Sequence, residues 1–209
     1  SNRCKYVVRI IFINIDNLHI NYAAKALSNI NILNIMKDVG CGIDAVSIQE
    51  VELALYVGFK TDQIFYTPSG VELSEIKKAL KLGVQINIDN ISALKKIAEN
   101  LSSVKLGIRI NPNVRAGGNS KISVGDSESK FGLNTSEIEE AKKIISENNI
   151  SINGLHIHTG SDIEDINSFL KACDFVFEQA EGFKELEFLD FGSGFKVKYF
   201  ENDSETDVI

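Results

Sequence analysis

One lysine, two histidines and a glycine-rich turn are the residues of this 209-residue chain best suited to catalysis. Lys25 ends a short apolar run, and the small residues Ala23, Ala24 and Ala26 surround it in the sequence. α/β proteins place their chemistry at the carboxyl ends of their strands, where this lysine would lie. There, a poorly hydrated amine loses part of its preference for charge and becomes a nucleophile. An ordinary solvated lysine is the alternative at this position.

The two histidines lie in the motif Leu155-His156-Ile157-His158-Thr159-Gly160-Ser161. Side chains alternate only while a strand persists, so one histidine can lie within the sheet and the other at its edge. They could ligate a metal ion with a third ligand, stack on a flat cofactor, or form a hydrogen-bonded pair in the core. We expect no metal site.

A glycine turn, Gly192-Ser193-Gly194, directly follows an apolar run that ends near Phe191. The backbone N–H groups of such a turn can converge on an anion, and barrels commonly bind phosphate after strands seven and eight. The turn is not a dinucleotide fingerprint, because the third glycine is missing and Lys196-Val197-Lys198-Tyr199 does not open a helix. A plain turn is the alternative.

Arg109 interrupts an apolar strand between Ile108 and Ile110, so it should face a polar mouth or a partner, because burying an unpaired charge is costly. An amine, a flat ring, an anion-binding turn and an arginine around one mouth would suit pyridoxal phosphate, which needs an imine to lysine and a cradle for its phosphate. The other candidate polar residues just after predicted strands are Asp44, Ser47, Thr67, Asp89 and Asn111.

Apolar β-branched runs alternate with segments of helical period along the chain. Strands are predicted at residues 20–24, 43–46, 64–66, 84–88, 106–110, 152–156 and 186–191. This alternation predicts parallel strands covered by helices, and its even spacing favours a (β/α)8 TIM-type barrel over an open doubly wound sheet. Only seven strands follow residue 20, so we expect an incomplete barrel over residues 20–209. Residues 1–19 form a strand-like segment of uncertain placement.

Five apolar faces at spacings of three and four predict helices between these strands. The faces are Ile32, Ile35, Met36 and Val39; Leu73, Ile76 and Leu80; Ile91, Leu94, Ala98 and Leu101; Ile138, Ala141 and Ile145; and Ile166, Phe169, Leu170, Cys173 and Phe177. Gly83 is placed to end the second helix. Ser136 and Glu139 form a capping-box pattern at the start of the fourth.

The net charge of −7 argues against nucleic acid or an anionic membrane as the main partner. The three cysteines, Cys4, Cys41 and Cys173, show no metal-type spacing and fit a reducing compartment. No apolar run approaches the ~18 residues that a membrane span needs. We expect a cytoplasmic protein.

Several motifs together resemble a known family. Tyr22-Ala23-Ala24-Lys25-Ala26 resembles the Tyr-Ala-x-Lys-Ala motif of the pyridoxal-phosphate barrel enzymes with the alanine-racemase-like fold. Further stretches, in this order and spacing, are similar to the diaminopimelate decarboxylases. They are Gly42-Ile43-Asp44-Ala45-Val46-Ser47 with Glu50, Arg109-Ile110-Asn111-Pro112, Ser129-Lys130-Phe131-Gly132, Gly154 to Ser161, and Leu189 to Gly194.

The resemblance implies a role for each matching residue. Lys25 would hold pyridoxal 5'-phosphate as an imine and handle protons at the reacting carbon, and His158 would stack on the cofactor ring. The phosphate would be bound by Ser161, Gly192, Ser193 and Gly194, and Asp44 and Arg109 would line the site. The implied reaction is decarboxylation of meso-2,6-diaminopimelate at its D-centre to L-lysine and carbon dioxide, in a homodimer with shared active sites.

The sequence also departs from the family pattern. Leu27 replaces an asparagine, Gln49 a glycine, and Ser193 the middle glycine of the turn. The family's Glu-Pro-Gly-Arg motif and its C-terminal β-domain are not in these residues, so we expect the 209-residue chain alone to be little active. The alternatives are a decarboxylase of ornithine, arginine or carboxynorspermidine, a non-catalytic homologue, and a metal-dependent hydrolase that uses His156 and His158.

Overall fold

The computed structural model describes residues 17–114 and 131–206. Within them, strands and helices alternate. The strands are β1 (Asn21–Ala23), β2 (Gly42–Ala45), β3 (Ile64–Tyr66), β4 (Gln85–Ile88), β5 (Lys105–Arg109), β6 (Ser151–His156) and β7 (Phe188–Asp190). The α-helices are α1 (Ile30–Asp38), α2 (Ile48–Val57), α3 (Leu73–Leu82), α4 (Ile91–Asn100), α5 (Thr135–Glu147) and α6 (Ile166–Ala180). Cys4, Ser129, Lys130 and nearly all of the segment 1–19 lie outside the described residues.

The described residues fall into two compact units that divide the chain between Ile86 and Asn87. In the first unit, β1, β2, β3 and the start of β4 pair in parallel and in chain order. In the second unit, the end of β4 pairs with β5, β5 with β6 and β6 with β7, again all in parallel. The strand order therefore never reverses, as it would in a doubly wound sheet. The prediction of an incomplete α/β barrel of the TIM type is confirmed.

The strands form where β-branched residues can be buried on both faces. Ile43 in β2 pairs in register with Ile64 in β3, and both side chains are fully buried. Leu106 and Ile108 of β5 are likewise fully buried. Burial of each such side chain stabilises the fold by about 1.5–3 kcal/mol. All seven predicted strands are present, and each end lies within two residues of its predicted position.

The five predicted helices are also present, but two of their predicted faces are wrong in part. In α1 the buried residue is Leu33, whereas Ile35 is 38 % exposed. In α6, Ala172 and Val176 are buried, whereas Leu170 and Phe177 are 51 % and 55 % exposed. Both helices carry apolar residues around most of their circumference, so apolar spacing alone does not single out the buried face.

The predicted start of α5 is wrong by two residues. Asn134, not Ser136, caps the helix: its side chain accepts the Glu137 N–H at 3.0 Å. Glu137 completes the capping box by accepting the Asn134 N–H at 2.9 Å. Two overlapping pairs fit the capping pattern, and backbone pairing of Leu133 with Arg109 places Asn134 where the helix must begin. The predicted end of α3 is confirmed, since Gly83 adopts a left-handed φ of 75°.

Helix α2 is not among the predicted faces, because its apolar residues surround the helix. Ser47 begins it by accepting the Glu50 N–H at 3.3 Å, and Gly58 ends it. The Lys37 ammonium donates to the Val57 carbonyl at 2.5 Å, which places a cation at the negative end of the helix. No helix in the described part of the chain is long and apolar enough to cross a membrane.

Candidate active site

Lys25 lies directly after β1, in a short 3-10 turn formed by Ala24–Ala26. Ala24 is buried beneath the turn, and the Tyr22 hydroxyl donates to the Leu27 carbonyl at 3.1 Å. Lys25 itself is exposed, so the poorly hydrated setting that we expected is wrong for these residues. The small alanines that flank Lys25 cannot cover its side chain, and the next large residue, Leu27, is exposed as well. The amine is therefore open to an incoming ligand.

Asp44 occupies the neighbouring strand end in the first unit. It lies opposite Ala23 in the β1–β2 register and is half-buried. Thr67 is buried at the end of β3. Ser47 and Glu50 are engaged in local structure, since Ser47 caps α2 and the Glu50 carboxylate accepts the Val46 N–H at 2.8 Å. The first unit therefore offers an amine and a carboxyl group on adjacent strand ends.

In the second unit the two histidines have different environments, as predicted. His156 is the last residue of β6 and only 5 % exposed, whereas His158 lies two residues past the strand and is half-buried. The Nδ1 atom of His156 lies 2.6 Å from Oδ2 of Asp190, which is opposite it in the β6–β7 register. His156 is thus a hydrogen-bonded core histidine, and His158 is the histidine that lies at the strand ends.

Asp190 places a carboxyl group beside His156 in this region. Its side chain is 24 % exposed. Burial raises the pKa of Asp190, but His156, the Gly192 N–H and the charge of His158 together outweigh burial and hold the pKa below its ordinary value. The carboxylate is therefore ionised at neutral pH, and the proton of the His156 contact lies on Nδ1.

The glycine turn after β7 packs against the loop after β6, backbone to backbone. Gly192 has a φ of 63°, and a Cβ there would lie 2.5 Å from the Ile157 carbonyl oxygen and 3.3 Å from Nδ1 of His158. Gly194 accepts the Ile163 N–H at 2.9 Å. At position 192, only glycine permits both the left-handed backbone conformation and the close approach to the Ile157 carbonyl. Ser161 and Ser193 are exposed on these two loops.

Arg109 ends β5, opposite His156 in the β5–β6 register. It is half-buried, and its Cζ lies 5.1 Å from the centroid of the Phe131 ring. A guanidinium over an aromatic face is a favourable cation–π contact. Arg109 therefore has a partner, as expected for a charge in an apolar strand. Of the motif that begins at Ser129, only Phe131 and Gly132 are described.

The second unit brings most of the predicted residues together. His158, Ser161, Gly192, Ser193 and Gly194 belong to the two packed loops. Hydroxyl groups beside a glycine turn form a donor set that suits a phosphate ester, and an imidazole beside them suits a flat ring. The residues present thus fit pyridoxal phosphate. Among the described residues, no three His, Cys, Asp or Glu side chains cluster as metal ligands would.

Asp190 contacts two of the candidate site segments, and the sequence alone gives it no role. Asp190 belongs to the motif Leu189-Asp190-Phe191, but a carboxylate before a glycine turn can serve in ligand binding or in local structure, and the sequence does not distinguish the two roles. The available signal was its position: Asp190 ends one strand as His156 ends another, and parallel strand ends meet at one edge of a sheet.

Comparison with known proteins gives the family. A profile described as "Pyridoxal-dependent decarboxylase, pyridoxal binding domain" matches residues 9–209. The chain belongs to this pyridoxal-dependent decarboxylase family.

Relatives in this decarboxylase family include curated diaminopimelate decarboxylases. That of Methanothermobacter thermautotrophicus is 34 % identical over 194 residues, which cover 90 % of this chain and 45 % of the relative. That of Haemophilus influenzae is 35 % identical over 188 residues, which cover 85 % of this chain and 45 % of the relative. The chain thus spans about half the length of the curated relatives it matches.

Solved structures in the family are similar as well. A crystal structure of diaminopimelate decarboxylase from Helicobacter pylori complexed with L-lysine matches with a TM-score of 0.87 and 31 % identity. The match covers 98 % of this chain and 54 % of that one. An arginine decarboxylase of Paramecium bursaria Chlorella virus, 21 % identical with a TM-score of 0.78, shares the fold.

Proposed function

We propose that the protein decarboxylates meso-2,6-diaminopimelate to L-lysine and carbon dioxide with pyridoxal 5'-phosphate as its cofactor. The observation that carries this proposal is the close packing of the Gly192–Gly194 turn on the loop that bears His158 and Ser161, in a chain of this family. The names of the relatives favour diaminopimelate as the substrate. The arginine decarboxylase supports only a shared fold, because its identity is 21 %.

The phosphate group of the cofactor would be held by the two loops of the second unit. The hydroxyl groups of Ser161 and Ser193 would donate hydrogen bonds to the phosphate, and so would backbone N–H groups of the turn from Gly192 to Gly194. His158 would lie against the cofactor ring, and Arg109 and Asp44 would line the site. When bound, pyridoxal phosphate supplies an electron sink for the carbon that loses carbon dioxide.

Lys25 would supply the amine that bonds the cofactor. Its place after β1 leaves Nζ accessible, as a group that must alternately bond and release a ligand requires. Freed by the substrate amine, the same Nζ would move a proton at the reacting carbon. Asp44, on the adjacent strand end, is the other residue of the first unit proposed for the site.

Assembly is a further part of the proposal. We propose that the working form is a homodimer with shared active sites, as the family resemblance implies. We also propose that residues 20–209 form the cofactor-binding barrel. Size-exclusion chromatography with light scattering would report a dimer mass for the protein expressed from its complete reading frame; a monomer with full activity would contradict the dimer.

A decarboxylation assay of the protein expressed from its complete reading frame tests the proposed function. With pyridoxal phosphate, meso-diaminopimelate should yield L-lysine and carbon dioxide, whereas L-ornithine and L-arginine should yield little product. Lys25→Ala should reduce the rate by about a thousandfold, since it removes the proton-carrying amine. Lys171→Ala, which changes an exposed lysine of α6, is the matched control and should leave the rate unchanged. Turnover of arginine in preference to diaminopimelate would contradict the substrate assignment.

A further inference from the structure

Asp190 connects three parts of the candidate site through one carboxylate. Its Oδ2 lies 2.6 Å from Nδ1 of His156, and its Oδ1 accepts the Gly192 N–H at 2.9 Å. Building on the proposed function, we infer that Asp190 is a positioning residue that holds the phosphate-binding turn in its binding conformation. It does so without contacting the cofactor, by fixing Gly192 to the buried His156.

The anchor on one side is buried and hydrogen-bonded. His156 is buried in β6, and its own carbonyl accepts the Ile110 N–H at 2.8 Å. The Asp190 carbonyl accepts the Ile157 N–H at 2.8 Å, so the backbone of β7 is also tied to the chain just after His156. A short hydrogen bond between an ionised carboxylate and a buried ring nitrogen adds a side-chain tie to these backbone ties.

The group that Asp190 holds on the other side is the first residue of the turn. Gly192 has its N–H directed to Oδ1 and a left-handed φ of 63°. An aspartate that binds the N–H two residues later closes a tight local turn, and here that turn points the chain toward the His158 loop. Without the carboxylate oxygen, Gly192 keeps its freedom of φ and the turn loses the contact that selects one conformation.

His158 also interacts electrostatically with the Asp190 carboxylate. A Cβ on Gly192 would lie 3.3 Å from the Nδ1 atom of His158, so the turn and the His158 ring lie close together. A shift of the turn would displace the phosphate donors proposed on it, whereas the loop that bears His158 stays tied to β7 by the backbone bond from the Ile157 N–H to the Asp190 carbonyl. The expected signature is a loss of affinity that depends on the phosphate group of the ligand.

Pyridoxal phosphate and pyridoxal, which lacks the phosphate, separate this role from a merely structural one. Apo-protein expressed from its complete reading frame is titrated with each compound, as wild type, Asp190→Ala and Asp190→Asn. Asp190→Ala should weaken pyridoxal phosphate binding about tenfold, the value of one charge-assisted hydrogen bond, and change pyridoxal binding less than about twofold. Asp190→Asn keeps an oxygen for Gly192 and should lose less affinity. Asp174→Asn, an exposed change on α6, is the matched control.

Two outcomes would overturn the inference. Equal affinity of wild type and Asp190→Ala for pyridoxal phosphate would show that the turn needs no such anchor. Equal weakening of both compounds would show that Asp190 supports the fold in general, and circular dichroism would confirm that reading. A wild-type protein that binds neither compound would contradict the proposed function, and this inference with it.

Discussion

Gly194 approaches Gly160 so closely that a Cβ on Gly194 would lie 2.0 Å from the Gly160 carbonyl oxygen. Because this atom belongs to the backbone, a side chain at Gly194 cannot be accommodated by a change of rotamer. The two loops that carry the proposed phosphate donors are therefore held at a separation that only glycine allows.

Gly194→Ala should accordingly disrupt the site. The substitution adds both the clash and the strain of a φ of 130°, so we expect a loss of more than about 2 kcal/mol in the free energy of unfolding. Gly40→Ala is the matched control, because Gly40 has a φ of 88° with no atom within 4 Å of its Cβ position. It should cost about 1 kcal/mol from backbone strain alone. Urea denaturation measures both; equal losses would show that the loop contact is not tight.

Asn134→Ala should destabilise the protein through the start of α5. The substitution removes the side chain that accepts the Glu137 N–H, and such caps contribute about 1 kcal/mol. Ser136→Ala should lower the free energy of unfolding by less than Asn134→Ala, because it leaves the cap in place and removes only an exposed hydroxyl that donates to the Asn134 side chain at 2.6 Å. A larger loss for Ser136→Ala in urea denaturation would restore the capping box first predicted from the sequence.

The pKa of Asp190 sets an acid limit on stability. Since its pKa is lower in the folded state, the carboxylate contributes stability above the ordinary pKa of about 3.9, and this contribution is lost as pH falls through the lower folded value. In Asp190→Asn this loss is absent, so its free energy of unfolding should fall less steeply than that of wild type between about pH 5 and pH 2. Urea denaturation across this range, with Asp174→Asn keeping the wild-type slope, checks the prediction. Parallel curves for wild type and Asp190→Asn would contradict it.

Thr159→Val should leave the protein as stable or make it more stable. Thr159 is fully buried, and its hydroxyl oxygen has no hydrogen-bond partner among the described residues. An unpaired buried hydroxyl costs about 1–3 kcal/mol, and valine has nearly the same shape. Thr206→Val provides the contrast, because the Thr206 hydroxyl donates to the Ile163 carbonyl and accepts the Lys196 N–H. Thermal unfolding should show a lower midpoint for Thr206→Val; a similar fall for Thr159→Val would mean that its hydroxyl is paired.

The strands and their ends could be predicted because parallel strands are buried on both faces and therefore form continuous apolar runs. Ile43 and Ile64 are such positions, and the polar residues that follow these runs mark the edge where a site can form. The sequence also predicts the turn at Gly192, because two closely spaced glycines directly after an apolar strand are typical of a tight turn.

Other features depend on contacts between residues distant in sequence. The tie from Asp190 to His156 spans 34 positions and becomes visible only when β6 and β7 are in register. The alanines beside Lys25 are too small to cover it, so its exposure depends on whether residues distant in the sequence do so. The buried faces of α1 and α6 were ambiguous because Leu33 and Ile35 are equally apolar, and packing alone decides between them.

Cofactor trapping tests the central claim most directly. The protein expressed from its complete reading frame is incubated with pyridoxal phosphate, reduced with borohydride and digested, and the modified peptide is identified by mass spectrometry. The account predicts a single pyridoxyl label on Lys25, and its absence in Lys25→Ala. A protein that takes up no label, or one labelled at another lysine while Lys25 stays unmodified, would contradict it.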